Sequence, residues 1–389
     1  MSSRTRLIVM SLSAPVVAFA IVGGFLGKVM AREDTPYQNL KIFDDVVSMI
    51  SSQYVEEVNI NKVMRGAMHG LADGLDPDSA YLTPAEVKQV EANTPLPPAG
   101  VGLELTRQYY LRVIAARDNS AAAKAGLRTG DYIRAINDAP TREMSVWEGM
   151  RALRGAPGTK VSVTVIRGNA ADPHVVELVR QAEPPSAVSD RVAAPGVGYI
   201  RIAAIGHDTA EQVKSGVADA VKNGATRLIV DVRRVSNGSP EDGLAIARLF
   251  VGTGTLAMRE TKAGPRETIA AAAGDGSITL PAVVLIDTGT SAAAEIFASA
   301  LAGNKRAELI GEHTIGRAAE QKLIKLPDGA GLWLSTTRYL TPAGTPLHEK
   351  GLEPSVAVDE PEVEFGQPMP AGDPILEKAI EHLAAKKAA

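Results

Sequence analysis

The chain has 389 residues, enough for two or three domains, and its 45% apolar and 22% charged composition is that of a folded protein. Its 41 Lys and Arg against 45 Asp and Glu give a net charge of −4, and only 4% of residues are aromatic, so neither a basic nor a base-stacking surface for nucleic acid is expected. Cysteine is absent, which excludes disulfides, thiolate zinc sites and a cysteine nucleophile.

The first six residues carry Arg4 and Arg6 and no acid, and an apolar run follows over 7–26. A basic start before an apolar stretch is the layout of an export signal, and this run is also long enough to span a membrane. Val29-Met30-Ala31 offers a small-residue cleavage site. Segment 1–31 is therefore expected to be a signal peptide or a membrane anchor. The remainder is then exported to the periplasm or cell envelope, and held at the inner membrane if the segment is retained.

Leu40, Phe43, Val46, Val47, Ile50 and Tyr54 recur at helical spacing over 37–55, and 60–75 and 84–92 read as further helices. Thr83, Pro84 and Glu86 form a capped helix start, and Asp76-Pro77-Asp78-Ser79 is a turn with no chemistry to assign. Residues 37–94 thus form a helical N-terminal domain, closed by a proline-rich joint. Over 97–182 short β runs (101–105, 111–115, 132–136, 161–166) alternate with helical stretches at 121–125 and 146–153, with glycine turns at Gly126 and Gly130.

A second joint covers 181–187. Beyond it, strands at 197–202, 228–232, 282–286 and 332–339 alternate with helices at 209–222, 241–250 and 292–302. This is an α/β layer structure over 188–358, with sites at strand ends. The acidic run Asp359-Glu360-Pro361-Glu362-Val363-Glu364 reads as a solvated linker before a packing helix at 374–387, together 359–389.

Three stretches resemble the carboxyl-terminal processing (tail-specific) serine peptidases. They are 74–82 (Gly-Leu-Asp-Pro-Asp-Ser-Ala-Tyr-Leu), the 99–180 region with its Gly100-Val101-Gly102-Leu103 loop, and the α/β part with Asp231-Val232-Arg233, 289–295, 311–321 and 339–354. The resemblance implies a multidomain α+β chain: a helical N-terminal part, a β-rich PDZ domain and an α/β protease-like domain of ClpP/crotonase type. It implies that Gly100, Val101, Gly102 and Leu103 receive a protein C-terminus, by backbone N–H groups to its carboxylate and by an open strand edge to its backbone.

That family uses a serine nucleophile and a neutral lysine base. Gly289-Thr290-Ser291-Ala292-Ala293-Ala294-Glu295 keeps the family spacing but sets Ala292 at the nucleophile. Thr314-Ile315-Gly316-Arg317 sets Arg317 at the base, and Gln321 matches the family glutamine. Arginine, with a pKa above about 12, cannot take a proton from a hydroxyl at neutral pH. The oxyanion turn aligns with Asn237 and Gly238, and Asn237 is expected to adopt positive φ in place of a glycine. Asp231 and Glu295 match family positions and are expected to orient backbone.

Ser291, about 100° around a helix from Ala292, is the alternative nucleophile, and His313 a remote candidate base. His69, His174, His207, His313, His348 and His382 are scattered, with no G-x-S-x-G or H-E-x-x-H motif. No cofactor and no metal are expected.

The expected function is an exported, catalytically silent homologue that binds protein C-termini or partners an active paralogue. It would form a homo-oligomer or hetero-oligomer through the helical part, with a tetratricopeptide-type adaptor as a further partner seen with relatives. The alternatives are an active endopeptidase using Ser291 and a structural envelope protein with a vestigial groove.

Overall fold

The computed structural model describes residues 36–93, 95–168, 172–183, 187–361, 363–367 and 370–385; the export segment expected at 1–31 lies outside them. The chain divides into two compact units, the first through Ala67 and the second from Met68. The first holds α1 (Pro36–Gln53) and the start of α2 (Ile60–Asp73). α1 leaves Leu40, Ile42, Val46 and Met49 exposed. The stretch expected as one helical domain is thus shared: the end of α2 belongs to the second unit, where Ala72 packs with Tyr81 and Ala330.

In the second unit, β1 (Ala80–Leu82) leads to α3 (Pro84–Glu91), opened by the predicted capping box of Thr83 and Glu86. Next come β2 (Ala99–Gly100), β3 (Leu103–Gln108), β4 (Tyr110–Ala116), α4 (Ala121–Lys124), β5 (Tyr132–Ile136), β6 (Ala139–Pro140), α5 (Val146–Ala152), β7 (Lys160–Ile166), β8 (His174–Val179) and β9 (Gln181–Ala182). Strands β3-β4-β5-β7-β8 make one antiparallel sheet with β3 at its edge, while β2 pairs with β9. Alternate residues Val161, Val163 and Val165 of β7 face a core shared with Leu105, Leu111 and Val146.

The α/β part runs β10 (Ala187–Ala194), β11 (Val197–Ala204), α6 (Thr209–Lys222), β12 (Arg227–Asp231), α7 (Pro240–Phe250), β13 (Thr255–Thr261), β14 (Glu267–Ala270), β15 (Ala282–Ile286), α8 (Ala293–Gly303), β16 (Ala307–Gly311), β17 (Ala319–Lys325), β18 (Gly331–Leu340), β19 (Val356–Ala357) and α9 (Pro374–Ala385). Its main sheet has the order β10-β11-β12-β15-β16-β19, parallel except for β10. Ile200, Val230, Val284 and Ile286 face α6, α7 and α8 on one side. Tyr199, Ile229, Val283 and Leu285 face Ile375, Ala379 and Leu383 of α9 on the other. Strands buried on both faces read as unbroken apolar runs, and these do. A second sheet, β1-β18-β13-β14 with β17 on β18, was not expected beyond β18.

The acidic run leaves Asp359 and Glu364 exposed but is anchored at several points. Arg167 donates to the carbonyls of Val363 and Glu364, Phe365 stacks on His174 with ring centroids 4.4 Å apart, and the N–H of Glu360 donates to Glu312. Charge composition alone hid the phenylalanine that anchors the segment.

A buried charge cluster closes β12. Asp231 accepts from the Tyr199 hydroxyl at 2.6 Å and from Arg233 Nη2 at 2.6 Å, with Arg201 at 3.6 Å. Burial would push the Asp231 carboxyl up, but Arg201, Arg233 and Tyr199 together hold it well below the usual carboxylate range. Arg233 also reaches Asp373 at 2.7 Å, ahead of α9. Removing one partner strands a buried charge, so Arg233→Ala should lower stability by about 3–5 kcal/mol in denaturant titration. A loss below about 1 kcal/mol would show that the cluster does not hold the strand end.

Candidate active site

The loop between β15 and α8 is stitched to the extension of β12. Asp287 accepts from the N–H of Arg234 at 2.8 Å, the Thr290 hydroxyl donates to the Val232 carbonyl at 3.0 Å, and the N–H of Ser291 donates to the Val235 carbonyl at 2.8 Å. These bonds set residues 232–238 beside the start of α8.

At that start Ala292 has φ +52° and ψ −121°, a conformation strained for any residue with a Cβ. It is half-buried. The helix begins at Ala293, one residue later than expected, because Ala292 makes the elbow rather than the first turn.

The oxyanion turn lies alongside, though not as expected. Positive φ falls on Arg234 (58°) and Gly238 (97°), not on Asn237. Asn237 instead bridges to Ile205, donating to its carbonyl at 2.7 Å and accepting from its N–H at 3.2 Å. A Cβ on Gly238 would lie 3.1 Å from that of Ala293, which places the turn against the helix start.

Glu295, in the first turn of α8, gathers the other half of the site. Its fully buried carboxylate accepts from the backbone N–H of Gly316 at 2.7 Å and of Arg317 at 2.8 Å, and from the Thr314 hydroxyl. It therefore orients backbone, and it holds position 317 to the helix that carries position 292. Desolvation pushes its pKa up to about 7, against the opposing hydrogen bonds from Thr314, Arg317 and Gly316.

The Arg317 side chain is fully engaged. Nε lies 3.1 Å from Asp78 Oδ2 and Nη2 bonds Asp78 Oδ1, while Nη1 donates to the Leu105 carbonyl of β3 at 3.0 Å. Desolvation works against its charge, but Asp78, Glu104 and Glu295 more than offset it and raise the pKa above the ordinary arginine value. The turn that supplies Asp78, expected to carry no chemistry, is thus part of the site. Asp76 fixes it by accepting from the N–H groups of Asp78 and Ser79 at 2.9 and 2.8 Å. Gln321, in β17, reaches the same turn through Ser335: its amide donates to Ser335 Oγ at 3.1 Å, which donates to Asp76 at 3.2 Å.

The other candidates stand apart. Ser291 is 0% exposed and its Oγ is buried with no hydrogen-bond partner. His313 sits in an exposed loop 3.6 Å from Glu353, on a cleft of about 510 Å³ that Arg112, Thr288 and Ile315 also line. Gly100, Val101, Gly102 and Leu103 run from the end of β2 to the first residue of β3, the edge strand of the antiparallel sheet β3-β4-β5-β7-β8, and all four are buried. That sheet abuts the site: a Cβ on Gly289 would lie 2.5 Å from the Ile114 carbonyl of β4, and Asp118 pairs with Arg201 at 2.8 Å. Among the described residues no group of three or more His, Asp or Glu is placed to hold a metal ion.

The elbow at the helix start, the facing glycine turn and the buried glutamate that draws in a second loop all fall in a stretch that matches peptidase family S41. The family model matches residues 196–358, and a PDZ domain model matches 112–167. The carboxyl-terminal-processing protease of Synechocystis sp. is 31% identical over 315 residues, covering 79% of this chain and 74% of that protein. The carboxy-terminal-processing protease of Bartonella bacilliformis is 29% identical over 360 residues, covering 89% and 83%. Among solved structures, the photosystem II D1 C-terminal processing protease superposes with a TM-score of 0.67 at 26% identity, over 84% of this chain and 94% of that one. The chain belongs to the carboxyl-terminal processing peptidases of family S41, with a PDZ domain.

Two measurements test this geometry. Glycine tolerates the Ala292 backbone conformation, so Ala292→Gly should raise stability by about 1 kcal/mol; a loss would mean that no strain is stored there. The protonated Glu295 carboxyl contributes stability that is complete below its ordinary value of 4.5 and lost as pH rises through about 7. Across that window the wild type should weaken relative to Glu295→Gln by about 3 kcal/mol, and parallel pH profiles of unfolding would contradict the assignment.

Proposed function

We propose that this chain is a catalytically silent carboxyl-terminal processing peptidase homologue that recognises the C-terminal tails of other proteins through its PDZ domain. The observation that carries the reading is the pair Ala292 and Arg317, with the Arg317 guanidinium locked on Asp78. Acyl transfer needs a hydroxyl at the elbow and a neutral base beside it. The elbow carries a methyl group, and the position of the family's base carries a cation whose charge the surrounding carboxylates reinforce.

The Ser291 alternative is disfavoured by burial, since a peptide carbonyl cannot approach a fully enclosed hydroxyl with no base on it. Tail recognition is supported by the PDZ match and by the place of β3 at the edge of its sheet. The exposed apolar side of α1 supports an oligomer contact, with a second copy or an active paralogue. Export is supported by the composition of 1–31 alone. Among the described residues no helix is long and apolar enough to cross a membrane.

A serine-directed phosphonate probe should leave the protein unlabelled, and an unfolded protein should survive incubation with it. Labelling lost in Ser291→Ala would overturn the reading. Restoring the chemistry should take three changes. A lysine at 317 would meet Asp78, which would keep it charged and useless as a base. Adding Asp78→Asn to Ala292→Ser with Arg317→Lys should therefore raise cleavage by about 100-fold or more over the double variant. Equal rates would show that Asp78 does not control that position.

A further inference from the structure

The Gly100–Leu103 segment, which leads into the edge strand β3, is buried at every residue, with Val101 and Leu103 packed into the sheet's own core. Over Gly100 and Gly102 lies the chain's own Glu183, the residue after β9. Pairing of Ala99 with Ala182 and of Gly100 with Gln181 delivers Glu183 to the loop. Its Oε1 accepts from the N–H of Gly102 at 2.8 Å, and its Oε2 lies 3.3 Å from Arg117 Nη1 and 3.1 Å from Arg154 Nη1.

The fit is close on every side. A Cβ on Gly100 would lie 2.5 Å from Glu183 Oε1, so only glycine leaves room for the carboxylate. Arg154 is aimed by a second bond, Nε to the Pro97 carbonyl at 3.2 Å, and Arg117 by Glu104 at 2.8 Å. The Glu183 side chain is only 14% exposed. One oxygen on a backbone N–H and the other between two guanidinium groups is a receptor for a carboxylate.

We propose that the Gly102 N–H, Arg117 and Arg154 form the seat for the terminal carboxylate of a bound protein tail, and that Glu183 is a resident carboxylate which the tail must displace. This inference rests on the tail-binding reading above and adds its specificity residues and its regulation. A tethered competitor acts at high effective concentration, and the apparent affinity for an incoming tail falls by the fraction of time the seat is open. If Glu183 fills the seat about nine-tenths of the time, removing it tightens tail binding about tenfold.

The test uses the full chain and a fluorescein-labelled peptide pool with randomised C-terminal residues, supplied as free acid and as amide and followed by anisotropy. Glu183→Ala should bind the free-acid pool about tenfold more tightly than wild type, with the amide pool unchanged. Glu183→Gln, which keeps the shape and loses the charge, should lie between them, and it decides the matter if the alanine variant does not fold. Adding Arg154→Ala to the Glu183 variant should abolish the gain, and Glu177→Gln, on the exposed face of β8, should change nothing.

If the wild type prefers acid over amide and both Glu183 variants bind like it, the resident carboxylate is overturned while tail binding stands. If no variant distinguishes acid from amide, tail binding itself fails and takes this inference with it.

Discussion

The guanidinium of Arg317 is the point at which three parts of the second unit meet. Its backbone is held by Glu295 of α8, its Nε and Nη2 by Asp78 in the turn before β1, and its Nη1 by the Leu105 carbonyl on the edge of the PDZ sheet. In water such a group would satisfy itself with solvent. In a pocket largely closed to solvent, each donor must find a protein acceptor, and the acceptors here belong to separate elements. Breaking any one contact leaves a buried charge short of partners, so the three parts hold their positions together.

The elbow depends on this arrangement as much as on its own residues. Ala292 keeps a backbone conformation of the kind found where surrounding structure over-determines a residue. The stitching of Thr290, Ser291 and Asp287 to the end of β12 supplies that determination without any help from a side chain at 292. Backbone and side chain are therefore separable at this position: the elbow is held by its neighbours' hydrogen bonds and not by the residue that stands at 292.

Much of this was legible beforehand. The strands β12 and β15 announce themselves as apolar runs, the Thr83 and Glu86 pair as a helix start, and the spacing from Gly289 to Glu295 as a family motif at the start of a helix, though not as an elbow. What stayed hidden depends on distant pairing. Asp78 looks like any turn aspartate until Arg317 is brought to it from 239 residues away. Glu183 sits in a stretch read as a joint, and only the β2–β9 register carries it to Gly102. Strands such as β10 and β17, largely solvent-facing and rich in charged or small residues, lack the alternation that reveals a strand. Asn237 misled for a different reason: a residue that tolerates left-handed backbone also has a side chain able to bond a neighbour, and here the second property prevails.

The stretch around Phe365 adds a mechanical connection. Its ring lies on His174 with the Arg167 guanidinium 5.0 Å from its centroid, and Asp373 a few residues on is tied to Arg233 beneath the sheet. The PDZ module is thereby held at its far side by the stretch that follows the α/β part. Any swing of that module away from the elbow must first peel an aromatic ring from its perch.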